Sequence, residues 1–178
     1  MTGGKTKLMV AGAVVLLAAG GLTYREWKWD RDRATFHQDR APKVMAQFNQ
    51  WFAVKQGAQV WVDTFDNYSR QTCSFTTEYE LLSENGKVGT VTAYGYSNYP
   101  TAVTCMYELD LEKAPKSEFL SALLSQTTSV IRQEDGLRML YAGSSHGIAT
   151  FFIGPSDAAL ERLKDSGEPL KYPTKMPR

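Results

Sequence analysis

An apolar run from Leu8 to Tyr24 constrains this chain more than any other feature, because no charge interrupts it while Lys5 and Lys7 precede it and Arg25 follows at once. As a helix rising about 1.5 Å per residue it reaches roughly 25 Å, slightly short of a bilayer's hydrocarbon core. A helix apolar on every side needs lipid or protein around its whole circumference, which disfavours an ordinary buried helix. Two readings remain. A cleaved secretory signal has this basic start, this apolar centre and small residues such as Ala18 and Gly20, or Ala19 and Gly21, ahead of the cut. A retained single-pass transmembrane anchor has interfacial aromatics at its exit, and Tyr24, Trp27 and Trp29 supply them. Those aromatics favour the anchor, with the lipid bilayer as the partner of residues 8–24.

Orientation rests on conflicting signs. Arg25, Lys28, Arg31 and Arg33 outnumber Lys5 and Lys7, which taken literally holds the large C-terminal domain in the cytoplasm. A short basic start before an apolar run is also how export signals begin, and on that ground the domain is expected to be extracytoplasmic, in the periplasm.

The remaining chain has globular proportions: 178 residues, 43% hydrophobic and 22% charged, suffice for one domain with a core. The division expected is a flexible basic tail over 1–7, the anchor or signal over 8–24, a charged juxtamembrane stalk over 25–41, an α+β domain over 42–167 and an extended tail over 168–178. The stalk alternates charge sign densely enough to be solvated, with its tryptophans at headgroup level. A net charge of +1 and no basic block interleaved with aromatics argue against nucleic acid as a partner.

Pro42 suits the first turn of a helix, and Ala41, Val44, Met45, Phe48, Trp51 and Phe52 recur at helical spacing, with Gly57 available to end it. Val60–Phe65 then begins a strand. Cys73, Phe75, Tyr79 and Leu81 alternate with Ser74, Thr76, Glu78 and Glu80, which marks a strand with one buried face. Asn85-Gly86 predicts a type I′ hairpin into residues 87–97, with Leu81 opposite Thr90, Tyr79 opposite Thr92, and Tyr94 and Tyr96 on the face of Phe75. Val103, Cys105, Tyr107, Leu109 and Leu111 form the inward side of a fourth strand. Pro115 opens a helix whose apolar stripe extends to Val130 and Ile131 and closes at Gly136. A hairpin over residues 137–153 and a short helix capped by Ser156 complete the domain. The expected order is helix, four strands, helix, two strands, helix: an antiparallel β-sheet with helices packed on one face, where a parallel sheet would need crossover helices between its strands.

Cys73 and Cys105 are the two cysteines, and export favours a disulfide between them. A plain meander places their strands on either side of the third, roughly 10 Å apart, so the bridge requires a reordered or curled sheet. Neither cysteine belongs to a CxxC or zinc-ligand pattern, and no metal or cofactor is expected.

HExxH, Walker A and GxGxxG do not occur, and Gly143-Ser144-Ser145-His146-Gly147, which has the GxSxG spacing, reads as a hairpin loop between two strands and not as a nucleophile elbow, which needs a strand-to-helix turn. His37 lies in the stalk. His146 follows Ser144 and Ser145, but adjacency along the chain is not the hydrogen-bonded geometry of a nucleophile and its base, so a small hydrolase is the weakest alternative. Glu78 and Glu80 read as a solvated strand face rather than a glycosidase pair.

Tyrosines crowd the meander, and Tyr94, Tyr96, Asn98 and Tyr99 near a turn form the candidate interaction surface, since tyrosine combines area, a polar handle and low entropy cost. The function expected is that of a membrane-anchored, non-enzymatic interaction or assembly subunit of an envelope complex, partnered by another envelope protein. If the apolar run is cleaved, a periplasmic or secreted binder or inhibitor of immunity type replaces it.

Overall fold

The computed structural model describes residues 20–62, 74–96, 99–125, 130–134, 136–166 and 170–175. It opens on helix α1, residues 20–35, which passes through one turn of π-helix, Phe36–Arg40, into α2, Ala41–Trp51. Seven strands follow: β1 Lys55–Val62, β2 Ser74–Ser83, β3 Gly86–Tyr96, β4 Tyr99–Asp110, β5 Val130–Glu134, β6 Leu137–Ser145 and β7 Ile148–Pro155. Helix α3, Glu118–Leu124, lies between β4 and β5, and α4, Asp157–Ser166, follows β7. The strands form one antiparallel sheet in the order β1-β2-β3-β4-β7-β6-β5. The α+β antiparallel architecture is as the strand patterns predict, with one strand more than expected.

That extra strand corrects the long helix predicted from Pro115. Ser117 caps α3 by accepting from the Leu120 N–H at 3.0 Å, but the helix ends at Leu124, and Val130 and Ile131 belong to β5. Thr127, Thr128, Val130 and Ile131 are β-branched and lose χ1 freedom in a helix, so the local preference is for strand despite the helical spacing.

The stalk is corrected too. α1, the π turn and α2 form one continuous helix, roughly 48 Å long at 1.5 Å per residue, and from Trp29 onward it lies on the sheet. The Trp29 ring sits 4.7 Å from that of Phe75 and the Phe36 ring 5.7 Å from it, while Phe36 is buried. Gly95 of β3 makes this approach possible: a Cβ there would stand 2.4 Å from the Phe36 ring. In the π turn the Ala41 N–H donates to the Phe36 carbonyl, one residue further back than in an α-helix, so this turn holds an extra residue and resets the inward stripe for α2. The stripe continues through Ala41, Val44, Met45, Phe48 and Trp51, all buried. The helix ends earlier than Gly57. Ala53 adopts φ 55°, with Ala53 N–H donating to Gln50 and Val54 N–H to Asn49, a Schellman closure; Gly57 lies within β1.

Behind this helix the core is an aromatic chain. Phe52 contacts Tyr107 at 4.6 Å, Phe119 at 5.1 Å and Phe151 at 5.9 Å, and Phe119 also meets Trp51. Tyr107 keeps its hydroxyl satisfied by donating to Asn49 Oδ1 at 2.8 Å. The C-terminal segment is held to the domain as well. The Tyr172 hydroxyl accepts from the Val103 N–H and donates to the Val103 carbonyl at 2.9 Å, and its ring packs edge-on to Phe48. β7 pairs with β4 from Cys105 to Asp110 and closes at Pro155, which has no N–H to offer, so the hydroxyl stands in for a strand partner at Val103.

The hairpin turns exchange the expected roles. His146 (φ 52°) and Gly147 (φ 79°) are both left-handed between the paired Ser145 and Ile148, which is the type I′ arrangement. At Asn85-Gly86 only Gly86 has positive φ (88°), so that turn is not type I′. A bulge follows it, with Leu81 opposite Gly89 but Leu82 opposite Lys87. Tyr79 therefore faces Val91 instead of Thr92, and Val91, Ala93 and Gly95 point to the core. Tyr94 and Tyr96 are carried to the opposite face, correcting the predicted register.

The helices also divide between faces. α1 to α3 cover the core face. Ala102 and Ala159 are buried outside the main core cluster, and α4 closes one end of the other face, where Arg138 pairs with Asp157 at 3.6 Å.

Two predictions follow from this packing. Gly95→Ala is expected to cost about 1–3 kcal/mol, the range for forcing a methyl group into a filled core. Combined with Phe36→Leu the loss should be less than additive, and thermal melting of the three variants measures it. His37, in the π turn, has both ring nitrogens buried without a hydrogen-bond partner, and burial, helped by Arg33, holds its pKa below the ordinary 6.5. Its neutral form is the one the fold prefers. That stability is in place above pH 6.5 and is lost as pH falls through the depressed folded value. His37→Phe should flatten the melting temperature against pH in that window, and an unchanged slope would refute the assignment.

Candidate functional site

Because the bulge after the β2–β3 turn sets which residues face away from the core, it also composes the second face of the sheet. The register aligns three rows of side chains across the strands. The middle row runs Glu78, Thr92, Met106, Phe152 and Leu140 from β2 to β6. On one side lies the row Glu80, Thr90, Glu108 and Thr150, and on the other Thr76, Tyr94, Thr104, Gly154 and Arg138. Glu78, Tyr94, Met106, Phe152 and Leu140 are each partly exposed, and Thr92 between them is buried. Among the described residues α4 occupies only the end of this face, which leaves the middle rows open.

The charge on this surface is uneven. Lys87 pairs with Glu80 at 3.0 Å, and Lys55 stands at the same hairpin end, opposite Leu82. Glu108 accepts from the Thr90 hydroxyl at 3.3 Å. Burial first, and then the Glu78 and Glu108 carboxylates, raise the Tyr94 pKa above its ordinary value of 10.0. Both carboxylates therefore act on the Tyr94 hydroxyl, which also lies 4.0 Å from Met106 Sδ. Tyr94 thus touches the Met106 thioether on a face that also carries Glu78, Glu108, Phe152 and Leu140.

Of the tyrosine cluster predicted from sequence, Tyr94 is half-buried on this face and Tyr96 is 41% exposed at its margin. Tyr99 is half-buried at the start of β4. Asn98 lies outside the described residues. Met106, Phe152 and Leu140 were missed. Met106 alternates with Thr104 and Glu108 in the sequence and so reads as one apolar residue on a wet face; only the register sets it beside Phe152 and Leu140.

The disulfide is corrected. Cys105 is a fully buried free thiol whose pKa burial pushes well above the thiol range, and Cys73 lies outside the described residues.

His146 takes the left-handed turn position, and Ser145 Oγ lies 2.8 Å from its Nδ1 at an exposed hairpin tip. No third group orients that imidazole among the described residues, and the pairing is what a turn supplies.

At the N-terminal end, residues 20–28 of α1 are exposed throughout, including Leu22 at 62%, Tyr24 at 63% and Trp27 at 55%. Tyr24 and Trp27 are 6.0 Å apart, and the Arg31 guanidinium lies 5.3 Å over the Trp27 ring. Trp29, by contrast, is spent on Phe75. The apolar run before residue 20 lies outside the described residues, and among those described no helix is long and apolar enough to cross a membrane. No protein-family model, curated protein or solved structure matches this chain.

Cys105 is expected to react with a thiol reagent roughly a thousandfold more slowly in the native protein than in denaturant, reflecting about 4 kcal/mol of opening free energy. Peptide mass analysis after labelling measures this, and a cross-linked Cys73–Cys105 peptide in the unreduced protein would overturn the correction.

Proposed function

We propose that this chain is a membrane-tethered, non-enzymatic protein-interaction subunit of an envelope assembly. The observation that carries the reading is the exposed start of α1. Leu22, Tyr24 and Trp27 stand in water on a helix that leads back into the sequence's one long apolar run and forward, without a break, into the core. Exposed aromatics beside Arg25, Lys28 and Arg31 suit the headgroup level of a bilayer, where amphipathic rings and basic side chains both find partners. The continuous helix makes the tether stiff: a force or tilt at residue 20 reaches Phe36 and Phe48 through backbone hydrogen bonds, not through a flexible linker.

The interaction role is supported by the open second face. We place the domain on the outer side of the membrane, on the strength of the short basic start of the apolar run.

Expressed in full, the protein should remain with membranes through alkaline washing, keep residues 8–24 in its mature mass, and be digested by protease added to spheroplasts. Release by the wash, or a mature protein beginning near Leu22, replaces the tether with an exported binder. Protection from protease reverses the orientation.

A further inference from the structure

We infer that the second face of the sheet docks a cationic, amphipathic segment of a partner protein, one carrying Lys or Arg beside aliphatic side chains. The inference rests on the reading of the chain as an interaction subunit and names the chemistry of what it binds. Neighbouring strands stand about 4.8 Å apart, so Met106, Phe152 and Leu140, aligned across β4, β7 and β6, make an apolar strip roughly 10 Å wide. Along the same row on β2 stands Glu78, and Glu108 lies in the adjoining row. Glu80 has Lys87, and Arg138 at the far side has Asp157, but Glu78 and Glu108 have no ion pair among the described residues. Basic side chains of a segment laid along these rows would meet Glu78 and Glu108, while its aliphatic neighbours cover Met106 and Phe152.

Charge favours this occupant. A second copy whose two-fold axis passes over the middle row sets Glu78 and Glu108 near their own equivalents, and an anionic lipid surface is repelled by the same carboxylates. A cationic segment gains from both halves of the surface.

Methionine-methyl NMR tests this on the full chain in zwitterionic nanodiscs, because Met106 reports on the face while Met45 and Met139, buried in the core, report on the fold. The probe is a synthetic amphipathic Lys/Leu peptide, with the same peptide carrying Glu for Lys as control. Titration should move the Met106 methyl resonance and leave Met45 and Met139 in place. The Glu78→Gln/Glu108→Gln variant, with unchanged core resonances, should bind about tenfold more weakly, as should the wild type on raising salt from about 0.05 to about 0.5 M. A still Met106, an equal response to both peptides, or full-strength binding by the variant overturns the inference. So does a Met106 shift that follows protein concentration alone, which assigns the face to a second copy, or one produced by anionic lipid in the nanodisc. Alkaline extraction of the same variant reads the membrane tether separately, so the failure of either reading is seen without the other.

Discussion

The fit of the Phe36 ring against the bare backbone of Gly95 is the contact on which the rest of this structure depends. It is a steric condition before it is an energetic one: any side chain at position 95 would hold the helix off the sheet. Once Phe36 is seated, Trp29 reaches Phe75 on one side, and the stripe of α2 descends toward Phe52 and Tyr107 on the other. Each of these aromatic side chains contributes about 1.5–3 kcal/mol when buried, so the helix contributes a large part of the core that the sheet alone would lack. The π turn reconciles the two halves of the helix with one surface.

A second constraint, the bulge after the β2–β3 turn, divides labour between the faces. By inserting one residue it turns Val91, Ala93 and Gly95 inward, and so makes the Phe36 contact available at all. The same step turns Tyr94 outward, next to Glu78 and Met106. Core and open surface are therefore set by one irregularity, and neither can be changed by a register shift without the other.

The polar groups inside the domain are handled locally. Asn49 takes the Tyr107 hydroxyl, and Tyr172 satisfies the Val103 backbone where Pro155 cannot. Cys105 lies among these groups as a small apolar side chain, kept as a thiol by burial. The functional proposals use different parts: the exposed beginning of α1 for the membrane, and the rows of the second face for a partner. Both parts are joined to the same core, so the proposed tether and the proposed docking face are linked through it.

The sequence by itself determined what is carried by local period and by residue type. The antiparallel strands, the inward side of β4, the amphipathic α2 and the serine cap of α4 follow from alternation, spacing and capping chemistry, which act over a few neighbouring residues. Tertiary structure decided what depends on contacts between distant segments. Alternation cannot show a bulge, so the facing of Tyr94 and the row of Met106, Phe152 and Leu140 were hidden until the strands were paired. Charge alternation made residues 25–40 look solvated, although Trp29 and Phe36 had a partner surface some forty to seventy residues away, at Phe75 and Gly95. Helical spacing in 115–131 yielded where Val130 pairs with Leu140 of β6. At Trp29 and Phe36 the pattern of neighbouring charges was outweighed by burial against the sheet, and burial is a property of the assembled fold.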